Sequence, residues 1–361
     1  MLIIYFLHLK ISFRSLDTEE HFYNHRFNDL TYYKFDKSLR SASLDDVNGF
    51  QTILNEYNFK RSKYLHKSDI VFFYLLTDYV KLYNKIVNIP TIRYVASLRC
   101  IDLFCSKYKL YDILESNLSE ELLIKYLPKT YLLGPKHNLS EIVDGELYIL
   151  KKNIQRQNGL CITKNAAKIQ KAYQQNYVVC QKMLQDVFTI NKRKINLRVY
   201  LLVTITSENP SFYVYNNGFI YYTKKDFVKN STDPDVHITT GYIDRQIYEN
   251  NPMTLKDLKQ FIKEERYSIL NQNILDCLQT LMSAYVSILK KYDTSAQTKF
   301  VMFGCDFAVA SDLSCKLIEI NKGPDLNYKD KRDKEVKYNL VKDTFIMLGI
   351  IPGTTNTFTQ L

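Results

Sequence analysis

The feature of this sequence that most constrains its fold is a pair of strand-like segments near the C-terminal end. The segments KFVMFGCDFAVA and CKLIEIN are rich in apolar residues, and a short connection through Ser311 and Asp312 separates them. Two strands joined so closely are expected to pair as an antiparallel hairpin. That hairpin would place Asp306 of the first segment opposite Glu319 of the second, on one face.

Polar side chains interrupt the second segment at two positions that point the same way. Because side chains alternate along a strand, Glu319 and Asn321 share one face, and Ile318 and Ile320 lie on the other. The polar face either lies in water or holds a group that needs oxygen ligands. A lone acidic residue in a strand is most often solvated, but here Asp306 joins the other two. Three oxygen-bearing side chains without His or Cys favour a hard cation such as Mg²⁺, shared with phosphate oxygens.

Basic residues lie in two other strand-like segments. Lys151 lies within the apolar segment LYILKK, and NKRKINLRVYLL places Lys194 on the approach to a long strand and Arg198 within it. Together with Asn196, the last two share a face if that strand begins early enough. Taken alone, a basic residue at such a position more often buries the aliphatic part of its side chain and keeps its charged group in water. Cations and carboxylates on facing strands together favour a magnesium–nucleotide site.

The remaining segments alternate between strand and helix patterns. ELYILKK, NYVVCQKML and INLRVYLLVTI predict strands, and SFYVYNNGFIYYT predicts a hairpin that turns at Asn216, Asn217 and Gly218. SLRCIDLFCSKYKL predicts one amphipathic helix, and TLKDLKQFIKEE a helix opened by Thr254 and Asp257 at capping-box spacing. Such a mixture indicates an α/β or α+β ligand-binding protein. A terminal helix is predicted with its apolar stripe at Val336, Leu340, Val341 and Phe345.

Composition narrows the partners of the protein. The chain has 361 residues, a formal net charge of +11 and a sequence pI of about 9.0, a balance that favours polyanionic partners. The basic residues are scattered and form no recognisable nucleic-acid-binding motif, so no nucleic acid partner is expected. Seven cysteines at irregular spacing, without a C-x-x-C pair, predict thiols rather than a disulfide framework or a zinc site.

The N-terminal segment MLIIYFLHLKI looks only in part like a signal peptide. It lacks a basic n-region and a small-residue cleavage site, and its apolar stretch is too short to span a membrane. We interpret it as a first strand. The sequence therefore predicts a cytoplasmic protein with no membrane partner.

Eight segments, taken in order, resemble the tubulin–tyrosine ligase family of the ATP-grasp superfamily, and the chain looks like a divergent member. They are YLPKTYLL, ELYILKKNIQRQNGL, VVCQKML, KRKINLRVYLLV, FYVYNNGFI, HITTGYI, FGCDFAV and LIEINKGPDL, and the similarity runs from Leu98 to Leu326. The resemblance implies an α+β ATP-grasp fold, in which two α+β lobes clamp ATP after a small N-terminal α/β domain. The implied domains are residues 1–95, 96–181 and 182–361.

The resemblance also implies roles for the candidate site residues. Arg198 would contact the acyl phosphate or the incoming substrate, and His237 would line the cleft together with Thr239. The implied metal ligands for Mg²⁺ are Asp306, Glu319 and Asn321. The implied ATP-binding residues are Lys151 for the phosphates, Gln181, Lys182 and Leu184 for the adenine hinge, Lys194 for the ribose or phosphates, and Thr239.

The implied activity is that of an ATP-dependent carboxylate–amine ligase. Such an enzyme phosphorylates a carboxylate to an acyl phosphate, and an amine then displaces the phosphate to form an amide. A free amino acid (Glu, Gly or Tyr) would be added to a protein of acidic character such as tubulin. Two alternatives stay open, because fold does not fix function. They are an ATP-grasp kinase of a small molecule, and a nucleotide- or microtubule-binding protein with little catalysis.

The sequence departs from the family pattern at several positions. The loop that is usually rich in glycine has one glycine, Gly159, after Lys152. The Arg–Lys pair that usually opens the central domain reads Arg99–Cys100, which predicts the loss of a phosphate-contacting lysine. Three further residues stand where Asp, Arg and Asn are usual: Asn196, Tyr221 and Thr240.

Overall fold

The computed structural model describes residues 31–34, 45–72, 79–154, 159–207, 209–240, 243–292 and 295–361. The strand predicted for MLIIYFLHLKI lies outside these residues. The described residues form a mixed α+β fold with two β-sheets, in agreement with the predicted fold class. All seven cysteines are thiols, as predicted, with no disulfide among them.

The strands divide between a larger and a smaller sheet. The described strands are β1 (Thr31–Lys34), β2 (Lys60–Arg61), β3 (Ile70–Phe72), β4 (Tyr94–Ala96), β5 (Thr130–Leu132), β6 (Tyr148–Lys152), β7 (Leu160–Thr163), β8 (Tyr177–Lys182), β9 (Thr189–Ile190), β10 (Arg193–Thr206), β11 (Asn209–Thr223), β12 (Thr239–Thr240), β13 (Thr298–Val309), β14 (Cys315–Lys322) and β15 (Phe358–Gln360). The larger sheet has the order β12-β11-β10-β13-β4-β3-β1-β2, with β14 paired to β13, β15 to β11 and β9 to β10. The smaller sheet has the order β5-β8-β6-β7.

Helices connect and cover the two sheets. The described α-helices are α1 (Asp45–Glu56), α2 (Tyr79–Ile86), α3 (Ile101–Cys105), α4 (Lys107–Asn117), α5 (Glu120–Tyr126), α6 (Ala166–Gln170), α7 (Pro234–His237), α8 (Ile247–Asn250), α9 (Leu255–Ile262), α10 (Glu264–Ser283), α11 (Val286–Tyr292) and α12 (Lys331–Met347), with 3₁₀ turns at Leu65–Lys67 and Ala172–Gln175. The capping box predicted for α9 is confirmed by reciprocal hydrogen bonds between Thr254 and Asp257. The four stripe residues predicted for α12 are all buried. Across the described ranges, no helix is long and apolar enough to cross a bilayer.

Strand β10 is the centre of the larger sheet. Its side chains are almost all buried, because β11 and β13 pair with it antiparallel on both edges and both of its faces are covered. The strand begins at Arg193, so it includes Lys194, Asn196 and Arg198, as the predicted shared face requires. Lys194, Asn196 and Arg198 therefore project to the same side, toward the candidate site.

The hairpin of β13 and β14 is confirmed, with Asp306 directly opposite Glu319. One expectation about it is wrong: Ile318 does not lie on the opposite side but lines the same cleft as Glu319. The register shifts there, since Asp306 pairs with Glu319 and Phe307 pairs with Leu317. A bulge at this point interrupts the alternation of side chains.

The prediction of a hairpin turn at Asn216–Gly218 is wrong, because β11 continues through these residues. The chain turns earlier, after Thr206, and residues 215–217 form a bulge opposite Tyr200 alone, while Gly218 pairs with Val199. Pairing with β10 on one edge and β15 on the other overrides the local turn preference. Glycine is required at position 218 for a steric reason rather than for a turn, because a Cβ at this position would lie 2.1 Å from the carbonyl oxygen of Arg198.

The single helix predicted for SLRCIDLFCSKYKL is two helices. Helix α3 ends at Cys105, and Ser106 adopts an extended backbone and caps α4 by accepting a hydrogen bond from the Lys109 amide. The break makes Lys107 the first residue of α4. This change of direction brings Lys107 to the candidate site.

Candidate active site

A cleft of about 310 Å³ is lined by residues from both sheets. Strands β6 and β8 of the smaller sheet contribute one side, and β10, β13 and β14 of the larger sheet contribute the other. Every site residue that the sequence predicted lines this one cleft: Lys151, Gln181, Lys182, Leu184, Lys194, Arg198, Thr239, Asp306, Glu319 and Asn321. Side chains from elements far apart in the sequence are therefore brought together as predicted.

Two carboxylates and one amide form a connected cluster, which we call the anionic wall (Asp306, Glu319 and Asn321). The Asn321 amide Nδ2 donates to Asp306 Oδ2 at 3.1 Å and to Glu319 Oε1 at 3.1 Å. Among the described residues no group of three or more His, Cys, Asp or Glu side chains is placed to hold a metal ion. Two carboxylates with an amide oxygen suit Mg²⁺, which keeps several waters and shares phosphate oxygens.

Arg198 forms a bidentate ion pair with the anionic wall. Its Nε lies 2.6 Å from Asp306 Oδ1 and its Nη2 lies 3.0 Å from Asp306 Oδ2. Burial raises the pKa of the Asp306 carboxyl, and the Arg198 guanidinium opposes that rise. The guanidinium also lies over the Tyr221 ring, 5.3 Å from its centroid. Arg198 is thus held at the edge of the anionic wall.

Two lysines line the cleft from its two sides, Lys151 on β6 of the smaller sheet and Lys194 on β10 of the larger sheet, and we call this pair the cationic wall. They are 4% and 6% exposed, and neither has an ion-pair partner within the described ranges. Burial lowers the pKa of each to about 8. A buried ammonium without a counter-ion is costly, so this wall is suited to an anionic ligand such as a triphosphate.

Lys107 is a cleft residue that the sequence reasoning missed. Its Nζ donates to the Ile154 carbonyl at 3.0 Å and lies 3.7 Å from Glu319 Oε2, and its backbone amide donates to Asn153 Oδ1 at 3.1 Å. Burial would raise the pKa of Glu319, but Lys107 and Lys151, together with the Asn321 hydrogen bond and Arg198, lower this pKa overall. Lys107 therefore links the start of the loop after β6 to the anionic wall.

The phosphate-contacting lysine predicted to be lost at Arg99–Cys100 is absent from that position, and Lys107 is a different cleft lysine that this prediction did not anticipate. The Arg99 guanidinium lies 5.8 Å from the Tyr292 ring centroid, Cys100 is buried, and neither residue lines the cleft. A signal was present in the sequence, since Ser106 is a favoured helix N-cap residue and Lys107 follows it.

Strand β8 ends in the predicted hinge. The Gln181 side-chain amide donates to the Tyr111 hydroxyl and, at 3.0 Å, to Thr130 Oγ1, so its carbonyl oxygen remains as an acceptor. Tyr111 in turn donates to the Ile318 carbonyl at 3.0 Å, which joins the hinge to the bulge of β14. The Lys182 side chain forms an ion pair with Glu146 at 2.6 Å. Apolar side chains complete this end of the cleft: Ile149, Leu160, Met183, Leu184 and Ile318.

Two glycines make room for Arg198. A Cβ on Gly304 would lie 3.0 Å from Arg198 Cδ and 3.1 Å from its Nε, and the carbonyl of Arg198 approaches Gly218 closely on the other side. Both strands that flank β10 thus lack a side chain where Arg198 passes.

The comparison with protein families matches residues 109–357 to a model described as the tubulin-tyrosine ligase family. That range is well over half of the chain and contains every predicted site residue. The chain belongs to the tubulin-tyrosine ligase family. Lys107 lies just before the matched range, beside Asn153 and Ile154 within it.

Relatives within the family are named for tubulin modification. The chain is 24% identical over 304 residues to tubulin polyglutamylase TTLL6 of Homo sapiens, covering 76% of this chain and 33% of that protein. It is 28% identical over 179 residues to the probable tubulin polyglutamylase TTLL9 of Bos taurus (47% and 38%). It is 23% identical over 287 residues to tubulin glycylase 3B of Drosophila melanogaster (69% and 36%). The chain thus spans 33–38% of the length of these curated relatives.

Proposed function

We propose that this protein is an ATP-dependent ligase that joins a free amino acid to a carboxylate of a protein. The observation that carries the proposal is that the two walls line one cleft. The cationic wall buries two ammonium groups that form no ion pair among the described residues, and the anionic wall offers oxygen ligands for Mg²⁺. A magnesium–nucleotide complex matches both walls at once, which supports the ATP-grasp interpretation of the two sheets.

We propose a role for each residue of the two walls. Lys151 and Lys194 would bind the phosphate oxygens, and the carbonyl of Gln181 with the apolar hinge would bind the base. Asp306, Glu319 and Asn321 would hold Mg²⁺, which when bound neutralises charge on the transferring phosphoryl group. ATP is a substrate here: a carboxylate oxygen takes its terminal phosphoryl group, and ADP leaves.

Arg198 would act in the second half of the reaction, the attack of the amine. Its guanidinium stands beside the anionic wall, where it can stabilise the oxyanion that forms when the amine attacks the acyl carbon. The amine loses a proton, the amide bond forms, and inorganic phosphate leaves with the bonding electrons. No side chain needs to be acylated, which agrees with the absence of a nucleophilic Ser or Cys among the described residues that line this cleft.

Tubulin is the first acceptor to test, because relatives named for tubulin polyglutamylation and glycylation match the chain. A net charge of +11 favours an acidic protein partner. Glu, Gly and Tyr are the amino acids to compare. The thiol state of all seven cysteines agrees with a cytoplasmic setting.

The decisive experiment measures incorporation of labelled Glu, Gly or Tyr into tubulin with ATP and Mg²⁺. We compare the wild type with Glu319→Gln, which removes one metal-binding charge at constant shape, and with the control Glu335→Gln on the exposed surface of α12. We expect transfer by the wild type and the control, and none by Glu319→Gln. Transfer at the wild-type rate by Glu319→Gln would refute the metal assignment.

The same assay separates the two alternatives. A small-molecule kinase would form ADP without incorporating an amino acid into protein. A nucleotide-binding protein with little catalysis would show a thermal shift with ATP but no ADP formation. Either result would replace the ligase proposal.

A further inference from the structure

One buried tyrosine hydroxyl behind the cleft joins three elements that are far apart in the sequence. Tyr111 of α4 is 4% exposed, and its hydroxyl accepts a hydrogen bond from the Gln181 side chain on β8 and donates one to the Ile318 carbonyl on β14 at 3.0 Å. A buried hydroxyl is costly unless it is hydrogen-bonded, and this one is bonded on both sides. None of the steps proposed above uses it.

The directions of these hydrogen bonds follow from their partners. The Ile318 carbonyl can only accept, so the single Tyr111 proton points to it, and the hydroxyl must accept from Gln181. Gln181 Nε2 donates also to Thr130 Oγ1 at 3.0 Å, and Thr130 in turn donates to the Pro128 carbonyl at 2.6 Å. Gln181 therefore keeps one partner without Tyr111, whereas the Ile318 carbonyl would lose the donor that Tyr111 supplies.

The carbonyl that accepts this proton belongs to the bulge of β14. Asp306 pairs with Glu319 and Phe307 pairs with Leu317, so Ile318 has no residue opposite it on β13. The ladder of strand hydrogen bonds is interrupted at such a bulge, so strand pairing alone does not fix this carbonyl. The Ile318 carbonyl and the Glu319 amide belong to one planar peptide unit. A bond that fixes the carbonyl therefore also fixes the direction in which Glu319 leaves the strand.

The two carboxylates of the anionic wall differ in how firmly they are held. Asp306 has the bidentate ion pair described above. Glu319 instead accepts a hydrogen bond from Asn321 at 3.1 Å and lies 3.7 Å from the Lys107 ammonium. Burial raises the pKa of Tyr111, and the charge of Glu319 adds to the rise, so the hydroxyl remains a donor at neutral pH. The bond from Tyr111 thus supports the carboxylate that has the weaker contacts of its own.

We propose that Tyr111 is a positioning residue for the metal site: by tying the peptide before Glu319 to the hinge strand β8, it keeps the Glu319 carboxylate directed at the metal. The inference rests on the proposed function, since it takes Mg²⁺ and a nucleotide as the ligands of the cleft. It adds that the smaller sheet, to which no metal ligand is assigned, sets the metal affinity of the larger sheet through one hydroxyl.

The test is calorimetric binding of ATP to the full chain, once with excess Mg²⁺ and once with EDTA. The ratio of the two Kd values measures how much the metal contributes to nucleotide binding. Tyr111→Phe removes only the hydroxyl, and we expect it to reduce this ratio about fivefold, the effect of losing one hydrogen bond. The Kd in EDTA should stay within about twofold of the wild type, because Gln181 keeps its bond to Thr130.

Two matched variants separate this role from a loss of structure. Tyr108→Phe removes a hydrogen-bonded hydroxyl from the same helix, whose partner is His137 Nε2 at 3.0 Å, and neither residue lines the cleft. Thr130→Val removes the other hydrogen-bond partner of the hinge amide and leaves the bulge of β14 untouched. We expect both variants to keep the wild-type Kd ratio. If thermal unfolding shows that Tyr111→Phe does not fold, Tyr111→Met lacks the same hydroxyl and takes its place.

A rate measurement distinguishes a positioning residue from a metal ligand. ADP formation by Tyr111→Phe should need about fivefold more Mg²⁺ for its half-maximal rate, because the ligands are present but less well directed. Saturating Mg²⁺ should restore its rate to within about twofold of the wild type. Glu319→Gln, which removes the charge of a ligand, should not recover at any Mg²⁺ concentration.

The outcomes distinguish this inference from the function on which it rests. A wild-type Kd ratio in Tyr111→Phe would overturn the positioning role and leave the ligase proposal intact. An equal reduction of the ratio in either matched variant would do the same, because the effect would then not arise at the bulge of β14. A wild type that does not bind ATP, or whose ATP binding does not depend on Mg²⁺, overturns the proposed metal–nucleotide site, and the inference with it.

Discussion

The two walls of the cleft differ in how their charges are satisfied. On the anionic wall every charged or polar member is already bonded: Asn321 to both carboxylates, Asp306 to Arg198, and Glu319 close to Lys107. On the cationic wall the two ammonium groups are buried and form no ion pair in the described residues. The anionic wall is therefore assembled by the fold alone, whereas we propose that a ligand completes the cationic wall.

The largest expected effect concerns the bond between Arg198 and the anionic wall. We expect Arg198→Ala to lower turnover by about 10²–10³-fold, because a donor aimed at the developing oxyanion is lost. ATP affinity should change much less. Initial rates and ATP binding, measured on the same preparation, separate the two quantities.

The control for Arg198 is Arg198→Lys, which keeps the charge and loses the bidentate geometry. Arg198→Ala leaves Asp306 buried and unpaired, which should lower the free energy of unfolding by about 3 kcal/mol. Arg198→Lys should recover part of this stability without recovering turnover. An Arg198→Ala defect confined to ATP affinity would show that Arg198 belongs functionally with the cationic wall.

The second prediction concerns the cationic wall itself. Lys151→Met should weaken ATP binding by roughly 10- to 100-fold, because a charge-assisted hydrogen bond to phosphate is lost. The same change should raise the free energy of unfolding, since a buried unpaired ammonium is replaced by an apolar side chain of similar length. Calorimetric binding and urea unfolding measure the two effects.

Lys152→Met is the matched control for Lys151. Lys152 is the next residue of β6, and its ammonium lies over the Tyr177 ring, 4.9 Å from the centroid, rather than in the cleft. We expect wild-type ATP affinity from it. If Lys151→Met binds ATP normally, the cationic wall does not hold the phosphates.

A third prediction concerns Lys107, which touches the anionic wall from α4. Lys107→Met should lower the rate of ADP formation by about tenfold, because one charge-assisted contact in the cleft is lost. The stability should fall by less than about 1 kcal/mol, since the pair with Glu319 is long, at 3.7 Å. Lys109→Met, on the exposed face of the same helix, should leave both quantities unchanged. Equal rates for the two variants would remove Lys107 from the site.

The last prediction concerns a pH dependence of stability. Burial lowers the pKa of Lys151 and Lys194 from 10.5 to about 8, so between about pH 8 and 10.5 the folded chain binds fewer protons than the unfolded chain. Stability contributed by these groups therefore rises with pH in that window, by about 1.4 kcal/mol per pH unit for each lysine at most.

The double variant Lys151→Met/Lys194→Met isolates this contribution from other titrating groups. It should be more stable than the wild type at pH 7, and its advantage should shrink as the pH rises to 10. Urea unfolding at several pH values measures the difference. A constant advantage would mean that the two lysines are not buried as ammonium groups.

The sequence predicted the anionic wall well because its geometry is local. A short connection fixes the register of β13 and β14, and alternation then places Asp306, Glu319 and Asn321 together. The same reasoning erred at Ile318, where a bulge changes the alternation. It erred again at Asn216–Gly218, where a sequence that favours a turn is held extended by strands on both edges.

Lys107 was missed for a different reason. Its place in the cleft depends on the break between α3 and α4, and the periodic apolar pattern that runs across the break outweighed the capping signal of Ser106. The contacts that fix it come from Asn153 and Glu319, which are distant in sequence. The residues next to Lys107 in the sequence therefore did not show that α4 begins beside the cleft.

The two glycines beside Arg198 have a consequence for how this site tolerates change. Gly218 and Gly304 touch no substrate in any step proposed above, yet the path of the arginine depends on the space they leave. A survey of substitutions that scores only chemically reactive side chains would count both positions as neutral. We expect the opposite result. An added methyl group at Gly218 would displace the backbone of Arg198, and one at Gly304 would displace its side chain. Either substitution should therefore lower the activity, although neither glycine takes part in the chemistry.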